Sequence, residues 1–267
     1  MRSQFLTLLS FVLSLTAQAS AQAAAAAAYA PQFTTCPDGT NLVREVGLDA
    51  SKQTLSDGET AYVSARTKDV LPGAWSAYLD NVKKASAVKL PDYVDLILNN
   101  SCGMEAFPKL GIATSGGGHR AAIVGAGILN ALDGRNQSSV SAGTGGLLQA
   151  ATYLAGLSGG SWLVGSLSEG NFPTIHDLVF GSDTTTGWQT QLDLLAPSTN
   201  ATEVGEYIVT IITELMYKWA EGFPVTIADV WARALSRHFV QGTTASNLLD
   251  SSLTHGAGVT LSSITEL

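Results

Sequence analysis

A serine between glycines is the feature of this chain with the clearest potential for chemistry. Ser158 stands in Gly156-Leu157-Ser158-Gly159-Gly160, directly after the apolar run ATYLA. A serine hydroxyl is a weak nucleophile, so an enzyme must expose it and supply both a base and donors for the oxyanion. Glycines two residues before and after it let a strand and a helix pass closely at a sharp turn. The pattern predicts a nucleophile at Ser158; a chance match in a chain with 27 glycines is the alternative.

A second glycine-rich turn supplies groups that complement a serine nucleophile. The run Ser115-Gly116-Gly117-Gly118 presents adjacent backbone N–H groups that no side chain shields, as an oxyanion hole requires. The helix expected after Ser158 directs the amide of Gly159 and its positive dipole end toward the same region. We therefore predict an oxyanion hole formed by Gly116, Gly117, Gly118 and Gly159.

Charged and titratable residues near these turns have competing interpretations. Arg120 begins the helix after the triple glycine, where it forms either a surface ion pair or a fork that binds phosphate or carboxylate. His119 more often serves as a structural hydrogen-bonding group than as a catalytic base. The downstream histidines are weak candidate bases because no recognisable turn motif flanks them: His176, His238 and His255.

Two strand–turn–helix units must position these turns. The segment LGIATSGGGHRAAIVGAGILNAL, residues 110–132, has a short apolar strand, a glycine turn and a helix pattern, and ATYLAGLSGGSWLVGSLSE, residues 151–169, repeats that order. Two such units in succession predict an α/β fold with a mainly parallel sheet.

Two further helices are predicted after residue 200. In residues 226–239, Thr226 and Asp229 have the spacing of a helix N-terminal cap. Residues 204–222 carry an apolar stripe that is interpreted as core packing. The stripe consists of Val204, Tyr207, Ile208, Ile211, Ile212, Leu215, Met216 and Trp219.

Composition limits the class of protein. With 45% hydrophobic and 13% charged residues among 267, the chain is typical of a globular protein. Its net charge of −8 argues against nucleic acid as a partner, which requires a basic face. No phosphate-loop spacing supports nucleotide binding, and no acidic cluster has calcium-loop spacing, so neither a cofactor nor a metal is predicted.

The N-terminus is typical of an exported protein. Arg2 precedes an apolar segment, and small residues follow it, which predicts a signal peptide over residues 1–19 with cleavage near 19–21. Residues 20–35 form an alanine-rich spacer. The apolar segment is shorter than the ~20 residues of a membrane-spanning helix. We expect a secreted protein, extracellular or associated with the cell wall, without an integral membrane span.

Export predicts two kinds of modification. N-glycosylation sequons begin at Asn99, Asn136 and Asn200. An oxidising compartment favours a disulfide, so Cys36 and Cys102 pair either with each other or with partners outside this sequence.

The segments SGGGHRA, AGTGGLLQAATYLAGLSGGSW and VTIADVWARALSRHF resemble the secreted fungal phospholipase B and lysophospholipase family, which is similar to the cytosolic phospholipase catalytic domain. The resemblance spans residues 36–267. It implies a three-layer α/β/α domain that uses a serine and an aspartate without histidine. It assigns the nucleophile to Ser158, the oxyanion loop to Gly116–Gly118 and lipid-phosphate binding to Arg120. The implied reaction is hydrolysis of fatty acyl esters in lysophospholipids or phospholipids, at a micelle or membrane surface, through an acyl-serine intermediate.

One family feature is missing. The family's aspartate lies downstream in an Asp-Gly-Gly turn, and the 267 residues contain no such sequence. The expectation is that the chain is the N-terminal part of the catalytic domain, with an incomplete sheet, and is poorly soluble and nearly inactive alone. Two alternatives stay open: an α/β-hydrolase with a Ser-Asp-His triad that uses His238 or His255, and a non-catalytic secreted glycoprotein that binds lipid.

Overall fold

Two compact units make up the fold. The structure, a computed structural model, describes residues 30–36, 38–39, 44–85, 89–99, 107–183 and 186–240. Residues 35–179 contribute to the first unit, and residues 30–34 with 180–240 contribute to the second. The predicted signal peptide, most of the spacer, Cys102 and His255 lie outside the described residues.

The first unit begins with helices, and the first long helix has a side-chain cap at its N-terminus. The Ser56 side chain accepts a hydrogen bond from the backbone N–H of Glu59, which caps the first long helix. That helix continues through one π-helical segment into the next helix, whose Leu71, Trp75 and Leu79 enter the core of this unit. The elements are a 3-10 turn at Ala50–Lys52, α1 (Asp57–Ala65), the π segment (Arg66–Val70), α2 (Leu71–Ala85) and α3 (Tyr93–Leu98).

A two-stranded parallel sheet forms the centre of the site-bearing region. Strand β1 (Leu110–Thr114) pairs in parallel with β2 (Ala151–Gly156). Each strand leads through a glycine turn into a helix, α4 (Gly118–Leu132) after β1 and α6 (Gly159–Glu169) after β2. The predicted pair of strand–turn–helix units is therefore confirmed, and the mixture of helices with a small parallel sheet agrees with the α/β class. The remaining helices of this unit are α5 (Gln137–Ser141) and α7 (Ile175–Phe180).

The two helices that follow the strands pack against each other through small residues. A Cβ atom on Gly125 of α4 would lie only 2.9 Å from Cδ2 of Leu163 on α6, and it would also contact Thr114 of β1. Glycine at this position lets α4 approach both α6 and the strand. Tyr153 lies on the opposite face of the two-stranded sheet and is 42% exposed.

The second unit consists mainly of α8 (Ala201–Ala220) and α9 (Ile227–Phe239). Tyr207, Ile211 and Leu215 of α8 are buried, in agreement with the predicted apolar stripe. The prediction is wrong for Ile212, Met216 and Trp219, which are 52%, 55% and 63% exposed. Ile208 of the same stripe is partly buried and packs against this core, as predicted. The stripe is wider than the surface that α9 covers, and Glu214, which is 4% exposed, occupies part of that contact.

Polar contacts within the second unit hold α8 and α9 together. The carboxylate of Glu214 accepts hydrogen bonds from Arg233 and Arg237, which are also buried. Thr226 and Asp229 form the reciprocal capping box that the sequence predicted at the start of α9. Lys218 pairs with Asp229 across the turn. Among the described residues, no helix combines the length and apolar character needed to cross a bilayer.

The structure shows the surroundings of the three predicted glycosylation sites and of Cys36. Asn136 and Asn200 are helix N-caps whose side chains accept hydrogen bonds from Ser138 and Thr202. Asn99 is exposed after α3, and Cys36 is exposed near the start of the first unit. Glycosylation and the disulfide remain predictions.

Candidate active site

The two glycine turns meet because the strands before them end side by side. In the parallel register Thr114, the last residue of β1, is opposite Gly156, the last residue of β2. Parallel strands end at the same edge of a sheet, and this edge is where open α/β sheets place their ligands. The turn with Ser158 and the turn with Gly116–Gly118 therefore share one edge.

Ser158 has a backbone conformation that is unusual for any residue with a side chain. Its φ is 52° and its ψ is −119°, at the junction between β2 and α6. A non-glycine residue in this region stores strain, and such strain clusters at functional sites. It is the conformation expected of a nucleophile elbow. Ser158 is exposed, and its hydroxyl forms no hydrogen bond with another described residue.

The flanking glycines of the elbow are required by close backbone contacts. A Cβ atom on Gly156 would lie 2.4 Å from the carbonyl oxygen of Gly160. A Cβ atom on Gly160 would lie 2.5 Å from the carbonyl oxygen of Thr114. Both distances are far inside van der Waals contact, so any side chain at either position displaces backbone. The spacing predicted from the sequence thus has a direct steric cause.

The triple-glycine turn is in contact with the elbow. A Cβ atom on Gly116 would lie 3.0 Å from Cβ and 3.6 Å from Oγ of Ser158. A Cβ atom on Gly159 would lie 2.2 Å from the carbonyl oxygen of Gly118. Gly117 and Gly118 have φ angles of 134° and 67°, which favour glycine. The structure therefore brings together the five residues that the sequence singled out for the nucleophile and the oxyanion hole.

The amides at this junction are available to a ligand. Gly118 is the first residue of α4 and Gly159 is the first residue of α6, so neither N–H has an acceptor within its own helix. Within the described part of the chain, the N–H groups of Gly116, Gly117, Gly118 and Gly159 donate no hydrogen bond. Two helix N-termini with free amides favour negative charge beside Ser158.

Thr114 is a site residue that the sequence prediction missed. Its hydroxyl donates toward the carbonyl oxygens of Gly160 and Ala155, at 3.1 Å and 3.2 Å. Its own carbonyl oxygen accepts from the N–H of Leu157 at 3.0 Å. Through these hydrogen bonds Thr114 connects the end of β1 to residues before and after Ser158. No local motif marks it, and only its place directly before the glycine turn was visible in the sequence.

Arg120 and His119 have different surroundings although they are adjacent. Arg120 is exposed, and it forms no ion pair with any described residue, so the surface ion pair considered as its alternative role is not found there. The His119 ring contacts Trp162 of α6 edge-on, with 5.3 Å between ring centroids. Partial burial lowers the pKa of His119 and favours the neutral imidazole.

His176 and His238 lie on helices other than the two that follow the glycine turns. His176 is on α7, where its exposed ring lies 3.6 Å from Asp177. His238 is 3% exposed within the second unit, and its backbone carbonyl accepts from the N–H of Gln189. In the described ranges, no group of three or more His, Cys, Asp or Glu residues has metal-site geometry.

With this geometry in view, comparison with known proteins identifies the family. The strained turn at Ser158 and the triple-glycine turn at one edge of a parallel sheet have the arrangement expected of a serine-hydrolase site in an α/β domain. Residues 110–265 match the family model described as the lysophospholipase catalytic domain, and the chain belongs to that family. No solved structure matches the chain.

Named relatives agree with the family match. Lysophospholipase 2 of Aspergillus fumigatus is 38% identical over 220 residues, which are 79% of this chain and 34% of that protein. Lysophospholipase 2 of Saccharomyces cerevisiae is 35% identical over 236 residues, 86% of this chain and 31% of that protein. Lysophospholipase 1 of Saccharomyces cerevisiae is 37% identical over 216 residues, 79% of this chain and 30% of that protein. The chain spans about a third of the length of these relatives.

Proposed function

We propose that the chain belongs to a lysophospholipase or phospholipase B, a secreted carboxylic ester hydrolase that uses Ser158 as its nucleophile. The observation that carries the proposal is the contact between the strained elbow at Ser158 and the turn of Gly116–Gly118. The family match and the names of the relatives support the same reaction class.

The chemistry follows from these groups. The Oγ atom of Ser158 attacks the carbonyl carbon of a fatty acyl ester, and the carbonyl electron pair moves to oxygen. In this proposal the amides of Gly116, Gly117, Gly118 and Gly159 supply the donors for the oxyanion, and such donors are each worth about 3 kcal/mol. Collapse of the intermediate releases the glycerol alkoxide, which takes up the proton that the Ser158 hydroxyl gave up in the attack, and leaves an acyl-serine. Water then attacks the acyl-serine, releases the fatty acid and restores the hydroxyl.

Arg120 supplies the binding of the lipid phosphate in this proposal. A guanidinium fork bonds two phosphate oxygens at once, and Arg120 is exposed at the start of α4 beside the oxyanion turn. The favoured substrate is therefore a phosphate-bearing acyl ester at a micelle or membrane surface. The base remains unassigned, because the Asp-Gly-Gly sequence that the family resemblance implies is absent from the 267 residues.

The three-layer architecture is part of the same proposal. We infer that β1 and β2 belong to a larger parallel sheet with helices on both faces. The exposed face of the strands around Tyr153, which is 42% exposed, supports this arrangement. So do the apolar side chains on the outer surface of α4, where Val124 and Ile128 are 56% and 55% exposed.

The proposal is tested by fatty acid release from lysophosphatidylcholine. The chain is assayed alone and fused to the part of Aspergillus fumigatus Lysophospholipase 2 that lies beyond the matched region, which is termed the fused enzyme below. We expect hydrolysis by the fused enzyme, little by the chain alone, and none by the fused enzyme with Ser158→Ala. Ser141→Ala is the matched control, since Ser141 is an exposed serine at the end of α5. Undiminished hydrolysis after Ser158→Ala would overturn the proposal.

A further inference from the structure

A cavity beside the start of β2 contains polar groups that the proposed reaction does not use. Its volume is about 240 Å³, and it lies between α1, β2 and α6. Leu154, Val164, Leu167 and Phe172 give it apolar walls. Arg66 and Thr152 line it as well. Typical pockets for drug-sized ligands are about 300–1,000 Å³, so this cavity suits a smaller molecule.

Arg66 is a buried cation whose hydrogen bonding is incomplete. Its residue surface is 4% exposed. Its Nη2 atom donates to the carbonyl oxygens of Gln149 and Ala151, at 2.7 Å and 2.6 Å. Its Nε atom is buried without a hydrogen-bond partner, and no described carboxylate forms an ion pair with it. Buried charges are normally paired, so Arg66 lacks an anion.

Thr152, which lines the same cavity, has the second incomplete polar group. It is 3% exposed, and its Oγ1 atom is buried without a hydrogen-bond partner. These two atoms are the only buried side-chain polar atoms without a partner in the described part of the chain. Both residues line this cavity, and both groups lack an acceptor, because the guanidinium can only donate and the hydroxyl can donate too.

The helix geometry at Arg66 gives independent support. Arg66 is the first residue of the π segment Arg66–Val70, which interrupts an otherwise continuous helix between α1 and α2. Such segments are rare and occur frequently at functional sites, because they redirect one side chain at a cost in helix geometry.

We propose that this cavity binds the carboxylate of a short-chain or medium-chain fatty acid. A carboxylate has two acceptor oxygens and the single negative charge that Arg66 requires. One oxygen accepts from Nε of Arg66 and the other from Oγ1 of Thr152, while the alkyl chain contacts Leu154, Val164 and Leu167. A phosphate dianion is disfavoured, since apolar walls leave most of its oxygens without donors. This site is separate from Ser158, and its existence does not depend on the proposed hydrolysis.

Calorimetric titration with octanoate tests the proposal, using the chain with Ser158→Ala so that no turnover contributes. Octanoate is expected to bind saturably with one-to-one stoichiometry, whereas octylammonium is not, because it carries the charge of Arg66. Thr152→Val is expected to weaken octanoate binding about tenfold, the effect of one hydrogen bond to a charged group. Fold retention is expected, because valine has the shape of threonine and the lost hydroxyl has no protein partner.

Two further variants locate the binding. Thr60→Val changes an exposed threonine on α1 and is expected to leave octanoate affinity unchanged. Val164→Phe fills the cavity and is expected to abolish binding, with folding checked by thermal denaturation. Lack of saturable octanoate binding would mean that water alone occupies the cavity. Equal affinity in the Thr152→Val chain, or equal binding of octylammonium, would also overturn the proposal.

Discussion

The hydroxyl of Thr114 lies 3.1 Å from the carbonyl oxygen of Gly160, so the end of β1 is bonded to the first turn of the helix after Ser158. Through its own carbonyl, Thr114 also accepts from the N–H of Leu157 on the other side of the elbow. The turn that carries Ser158 and the strand that leads to the triple-glycine turn are therefore linked by one residue.

Replacement of Thr114 by valine tests whether this connection matters to the reaction. The hydroxyl is lost and its shape is kept, so we expect kcat of the fused enzyme to fall about tenfold while KM changes little. Thr114→Ser keeps the hydroxyl and is expected to retain most activity. Both constants are measured on lysophosphatidylcholine. If kcat survives in the valine variant, Thr114 has only a packing role.

The glycines of the elbow give a second prediction, on stability. Gly160→Ala places a methyl group 2.5 Å from the backbone oxygen of Thr114, so we expect a loss of about 3 kcal/mol or more in the free energy of unfolding. Gly165→Ala, in the same helix, meets no atom within 4 Å and is expected to stabilise by about 0.5–1 kcal/mol. Urea denaturation of both variants provides the comparison. Similar effects from both would contradict the steric role assigned to Gly160.

Sequence reasoning succeeded where the determinants are local. The elbow at Ser158 and the cap formed by Thr226 and Asp229 each depend on residues within a few positions of one another. Sequence reasoning failed where a contact or a burial depends on segments that are far apart in the chain. Arg66 donates to Gln149, 83 positions away, and no pattern around either residue indicates this. The exposure of Trp219 depends on how much of α8 is covered by α9, which helical periodicity cannot specify.

Arg120 gives a prediction about substrate choice. Removing its charge with Arg120→Gln is expected to lower kcat/KM of the fused enzyme for lysophosphatidylcholine about 10- to 100-fold, because hydrogen bonds to a charged phosphate are lost. Hydrolysis of a monoacylglycerol, which has no phosphate, is expected to change little. Arg44→Gln is the control, since the Arg44 guanidinium only bonds the carbonyl of Thr54. An equal loss on both substrates would assign Arg120 to folding of the turn.

Asp133 gives a prediction about pH. It is 1% exposed after α4, and Arg135 and Gln149 both donate to its carboxylate. Burial alone would raise the pKa of Asp133, but the hydrogen bonds and charge of Arg135, with the bond from Gln149, outweigh burial and lower it. The folded state therefore binds this proton less tightly than the unfolded state. The resulting stabilisation is complete above the ordinary aspartate pKa of about 3.9 and is lost as pH falls through the lower folded value.

The contribution of Asp133 is isolated by comparing the chain with its Asp133→Asn variant. At pH 7 we expect the variant to be less stable by about 1–3 kcal/mol, because a buried charge-assisted network is broken. That difference should shrink as the pH falls below about 4, where the aspartate of the parent chain becomes protonated and loses its advantage. Urea denaturation from pH 7 to pH 3 measures it. Asp80→Asn, at an exposed position on α2, is expected to change stability by less than about 0.5 kcal/mol. A difference that stays constant with pH would mean that the ionised carboxylate is not what stabilises the end of α4.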